Sequence, residues 1–192
     1  MNILIDILPV KVVINGAEYD INSDFRTSIL FSILMDDDRL NEDMKARQAL
    51  ALYYPVIPNR NCWGEAVAKI MWFYRCGKEI STATIGKGKS DKKRILDYDV
   101  DADYIYSAFM SQYRIDLQAI KYLHWWKFKS LLDSINEDTR LFKIMQYRST
   151  DISKITDKEQ KKFYKDMQKI YSLEKPDMEE LKLLEEWNSK LK

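Results

Sequence analysis

The 192-residue sequence predicts a mainly α-helical fold, one multi-helix domain over 1–192 with an N-terminal β-hairpin. Three observations predict it. Apolar residues recur at steps of three and four along most of the chain, the period of an amphipathic helix. Only 5 glycines accompany 32% charged residues, a balance that suits helices better than a sandwich or barrel. Asn15-Gly16 separates two short alternating runs, the strongest local hairpin signal, because both central residues need positive φ.

The hairpin occupies 8–21, with Val10, Val12 and Ile14 before the turn and Ala17, Tyr19 and Ile21 after it. A lone hairpin is marginal in water, so its apolar face has to pack on helices. Asn22, Ser23 or Asp24 caps a first helix, expected to turn Phe25, Ile29, Leu30, Ile33 and Leu34 inward and to stop at Asp36-Asp37-Asp38. A second helix spans 41–54, capped by Asn41 and ended before Pro55. The third covers 60–75, with Val67, Ile70, Met71 and Tyr74 on one face and Gly77 as its C′ residue. Segment 77–94, with six basic residues, two acidic ones and little apolar periodicity, predicts a flexible basic loop.

Order resumes at Ile95, and a helix starting near Asp101 turns Ile105, Phe109 and Tyr113 inward. The densest patterning follows. Leu117, Ile120, His124, Phe128, Leu131 and Ile135 share one helical face, with Asp116 as N-cap and Trp125 in the neighbouring row. A shorter helix begins in 136–139 and carries Leu141, Ile144, Met145 and Arg148. Residues 150–192 form a C-terminal helical extension. Its first helix, 157–172, carries Phe163, Met167, Ile170 and Tyr171. Its second is opened by Pro176 and carries Met178, Leu181, Leu184 and Trp187.

The composition narrows the function classes. Thirty-one basic residues against 30 acidic give a net charge of +1, which argues against a dedicated nucleic-acid binder while leaving room for a local patch at 77–94. The N-terminus lacks the basic n-region of a signal peptide, and no apolar run approaches membrane-spanning length. Cys62 and Cys76 belong to no CxxC or Cys/His cluster and read as free thiols of a reducing compartment. A soluble cytoplasmic protein is expected.

Chemistry is sparse. The single histidine, His124, reads as a core histidine bonded to a backbone carbonyl or carboxylate. Asp97, Asp99, Asp101 and Asp103 alternate like a calcium loop, but Ala102 replaces the required glycine and Ala108 the bidentate glutamate, so they read as a solvated helix start. No phosphate-binding, dinucleotide or zinc-protease motif occurs. No catalytic, cofactor-binding or metal-binding residue is assigned, and the chain reads as a non-enzyme. The candidates for partner binding are Trp187, Leu184, Leu181 and Tyr171, apolar positions on the terminal helices.

With those residues in view, the chain resembles the bacteriophage gene-product-fifteen family of tailed phages infecting Gram-positive hosts. The matching pieces are 8–26, 72–74, 101–128 and 141–152, and the resemblance runs from about residue 8 to 173. LHWWKF at 123–128 and LFKIMQYRSTDI at 141–152 are its most specific parts. The resemblance implies a tail-module protein of the host cytoplasm, a chaperone for the tape measure protein that also meets other tail subunits and self-associates. It transfers no catalytic or binding residue. Two competing readings are a minor structural component of the tail or head–tail junction, and a nucleic-acid-binding regulator using the 77–94 loop.

Overall fold

A computed structural model describes residues 2–78 and 94–173. Strands β1 (Lys11–Ile14) and β2 (Ala17–Asp20) form an antiparallel hairpin in which Ile14 faces Ala17 and Lys11 faces Asp20. Asn15 at φ 49° and Gly16 at φ 77° give the turn positive φ at both central positions, as expected. Val12 and Ile14 are buried, whereas Val13 looks outward. The α-helices are α1 (Phe25–Met35), α2 (Glu42–Tyr53), α3 (Trp63–Tyr74), α4 (Ala102–Tyr113), α5 (Trp125–Asp133), α6 (Arg140–Ser149) and α7 (Lys158–Ile170). The fold is mainly α, as the sequence predicts.

Short polar side chains set most helix starts. Asp24, Asn41, Thr139 and Asp157 each accept a backbone N–H from the first turn of α1, α2, α6 and α7. The end of α3 departs by one residue from expectation. Cys76, not Gly77, takes the C′ position at φ 57°, and Gly77 follows at φ 72°. The Cys76 N–H reaches the Phe73 carbonyl and the Gly77 N–H reaches that of Trp72, the pair of bonds of a Schellman ending. Gly77 is needed there for space as well: a Cβ would lie 2.8 Å from the Trp126 ring.

The largest correction concerns residues 115–124. Asp116 caps only one turn, accepting from the Gln118 and Ala119 amides, and the helix proper starts at Trp125. Arg26 explains why. Its Nη2 donates to the carbonyls of Leu117 and Ile120, both at 2.8 Å, the groups a continuing helix would use for Lys121 and His124. The chain then runs extended beside residues 23–25. Asp24 bridges to His124, the Phe25 N–H reaches the Leu123 carbonyl, and the Trp125 N–H reaches that of Ser23.

His124 is therefore the N-cap of α5 and not a mid-helix residue. Its Nδ1 accepts from the Trp126 N–H at 3.1 Å, which leaves the proton on Nε2, 3.0 Å from the Pro9 carbonyl it donates to. The two indoles beside it tie α5 to α3: Trp125 Nε1 donates to the Tyr74 carbonyl and Trp126 Nε1 to that of Phe73. Carbonyls at a helix C-terminus lack intrahelical partners; the Tyr74 bond supplies one, and Trp126 adds a second donor to the Phe73 carbonyl beside the Cys76 N–H. Phe128 stacks between Phe25 and Phe109, at ring distances of 4.8 and 4.9 Å, and centres the core.

Asp101 is the second correction. It is no solvated helix start but is fully buried, held bidentately by Arg148 at 2.6 and 2.9 Å. Arg148 also donates to the carbonyls of Ile95 and Tyr171, so one side chain joins the start of α4, α6 and the end of α7.

Candidate functional site

Helix α1 carries the site because it is apolar on two faces. Its sequence, FRTSILFSILM, buries Phe25, Ser28, Phe31 and Leu34. The sequence reading turned Leu30 and Ile33 inward as well, but Leu30 is 52% and Ile33 37% exposed. The core takes the face defined by Phe31, whose ring meets Tyr53 and Tyr74 edge-on, and Ser28, whose hydroxyl bonds the Tyr53 phenol at 2.8 Å. One helix cannot turn both faces to one core.

The outward face borders an apolar groove of about 520 Å³ lined by Leu30, Ile33, Leu40, Gln48, Ala51 and Leu52. Lys45 of α2 fixes its walls by donating to the Met35 carbonyl at the end of α1. Arg39 closes the turn between them with two bonds to Asp37, which hold the guanidinium above its ordinary pKa. Leu30 also borders a second groove of about 450 Å³, with Ile29, Tyr98, Ile105 and Leu117. The two grooves meet at Leu30 on the outer side of α1. A second exposed apolar stretch is Ile3, Leu4, Ile5 and Ile7, ahead of the hairpin.

The titratable groups are placed for structure. Burial holds the His124 imidazole below its ordinary 6.5, and both ring nitrogens are engaged. Burial pushes the Cys76 thiol up to about 11, which keeps it protonated and a poor nucleophile. Both cysteines are free thiols, as expected. Among the described residues, no group of three or more His, Cys, Asp and Glu could hold a metal ion, and no helix is long and apolar enough to cross a membrane.

Of the residues proposed from sequence, Leu181, Leu184 and Trp187 lie outside the described residues, as does 79–93 of the basic segment. Arg94, at its edge, is paired with Asp36 and Asp97. Tyr171 is engaged within the fold. Its hydroxyl bonds Arg140 at 2.7 Å, its carbonyl accepts from Arg148, and its ring stacks on Tyr147. Phe163 and Ile170, apolar positions that the sequence places on α7, are largely exposed, and α7 buries none of its residues. The groove residues Leu30, Ile33, Leu40 and Leu52 were not singled out from sequence as a surface. The available signal was the run SILFSIL at 28–34, too apolar for a helix with one wet face.

Fold and site together define a small, mainly α-helical protein with an open apolar groove on the outer side of α1. The family model described as Bacteriophage Gp15 protein matches residues 4–173, and the chain belongs to that family. It is a virion-related phage protein. No curated protein and no solved structure matches it.

Proposed function

We propose that this protein is a non-enzymatic tail assembly factor of a phage of Gram-positive bacteria. It acts in the host cytoplasm as a chaperone that holds the tape measure protein soluble while tail subunits gather. The observation that carries this reading is the outward apolar face of α1, with Leu30 and Ile33 open above a groove walled by α2. A groove of that shape takes an amphipathic helix, which inserts apolar residues at i, i+3, i+4 and i+7. An aggregation-prone helical client presents such a stripe. Fully burying an exposed Leu or Ile is worth about 1.5–3 kcal/mol per side chain before the cost of association, so binding needs several anchors from the client as well as Leu30 and Ile33.

Co-expression with the tape measure protein of the same phage tests it. The wild-type chain keeps the client soluble and co-purifies with it. Leu30→Glu combined with Ile33→Glu abolishes the complex while leaving the melting temperature nearly unchanged. A client equally soluble without this chain, with no complex recovered, overturns the reading. Mass spectrometry of purified virions should lack the chain; its stable presence there would make it a structural component instead.

A further inference from the structure

We infer that the groove between α1 and α2 receives the N-terminal arm, residues 2–7, of a second copy of this chain, so that copies associate head to tail. Three observations join the arm to the groove.

The first is exposure. Leu4, Ile5 and Ile7 are 88%, 79% and 93% exposed, more than any other large apolar side chain among the described residues. An apolar segment left this open to water marks a docking element. The groove is open in the same structure, with Leu30 and Ile33 uncovered, so the arm does not fill the groove of its own chain. A second copy covers both surfaces at once.

The second is the form of the arm, which is a closed turn. The Asn2 carbonyl accepts from the Asp6 N–H at 2.9 Å and the Ile5 N–H at 3.2 Å. The Asn2 Oδ1 accepts from the Leu4 N–H at 3.0 Å, and the Asp6 carboxylate accepts from the Asn2 N–H at 2.6 Å. The turn's polar groups are thus bonded to one another, and its aliphatic side chains stand outward. Little ordering entropy remains to be lost on docking, and the one charge of the arm already has a partner.

The third is anchorage. Leu8 packs against the core, and the Pro9 carbonyl accepts from His124 Nε2 at 3.0 Å, so the arm leaves the body at a fixed point. The groove, about 520 Å³ between Leu30, Ile33, Leu40, Ala51 and Leu52, offers apolar walls to such a projection. Arm and groove are different patches, which makes the contact heterologous: each copy gives its arm to one neighbour and its groove to the next. A six-residue arm buries less than the about 800 Å² per partner of a standard interface, so association is weak and concentration-dependent.

This occupant does not depend on the client reading, although the two compete for Leu30 and Ile33. Sedimentation equilibrium of the full chain over a range of concentrations tests it. The wild-type mass should rise above the 22.9 kDa of one chain as concentration increases. Leu4→Glu with Ile7→Glu disables the arm, and Leu30→Glu with Ile33→Glu disables the groove. Each variant should stay monomeric with a nearly unchanged melting temperature, because all four side chains are exposed. Mixed together, the two variants retain one intact arm and one intact groove, and should form a dimer of twice 22.9 kDa and nothing larger. A wild type that is monomeric throughout, association that survives either variant, or variants that fail to pair when mixed each overturn the inference. Where the wild type associates, the arm variant should bind the tape measure protein severalfold more tightly; equal binding places the arm elsewhere and also overturns it. Association in a chain that binds no tape measure protein would sink the chaperone reading alone.

Discussion

His124 is both a cap and a titratable group, which makes its protonation visible in stability. Its pKa is depressed in the fold by burial, so the unfolded chain takes up the proton first as pH falls. Its contribution is whole above about pH 6.5 and drains away below that value as the folded-state pKa is approached. Protonation also makes Nδ1 a donor, which removes the acceptor for the Trp126 N–H. Being the only histidine, it should account for most of the loss of melting temperature between about pH 6.5 and 5.5. His124→Asn retains a capping oxygen and should flatten that slope while lowering stability overall; an unchanged slope would point elsewhere. Asp101→Asn leaves Arg148 buried without its counter-charge and should cost about 3–5 kcal/mol in denaturant unfolding. Gly77→Ala combines a positive φ with a close approach to Trp126, so it should destabilise by more than about 1 kcal/mol.

At the scale of elements, α1 separates stability from binding. Phe31→Ala on its inner face should cost about 3–5 kcal/mol, the usual loss for a buried aromatic. Leu30→Glu on its outer face should change stability by less than about 0.5 kcal/mol, because it removes no packed contact from the core. Thermal unfolding of the two variants checks this directly. Helix α7 is the opposite kind of element. With no buried residue, it is held by Gln168, which donates to the Tyr147 and Thr150 carbonyls, and by the aromatic cluster around Tyr147. Amide exchange should therefore be fastest in α7 and slowest in α3 and α5, whose ends are bonded to each other through the two indoles.

At the scale of the molecule, residues far apart in sequence meet at two knots. One joins Asp24, Arg26 and residues 117–125. The other joins Asp101, Arg148, Ile95 and Tyr171. Both knots use arginine forks to satisfy carbonyls and a carboxylate that would otherwise be buried without partners. Leu30 and Ile33 on the outer face of α1 take part in neither knot, and the groove they line is open.

The sequence by itself determined the hairpin, the cap at Asn41, the end of α2, the start of α4 near Asp101, the start of α6 within 136–139, and the family through its 123–128 and 141–152 segments. Those features are local: a turn needs its Asn-Gly, and a cap needs an oxygen within three residues of a free N–H. Only the tertiary structure decided where α5 begins, because Arg26, some 90 positions away, takes the carbonyls that would have continued a helix from Asp116. It likewise decided that Asp101 is buried, since its partner Arg148 is 47 residues distant. The face of α1 turned inward was also a tertiary matter. An apolar run such as SILFSIL offers two equivalent faces, and packing against Tyr53 and Tyr74 selects one. The face not selected is the candidate site, which is why periodicity alone placed its residues in the core.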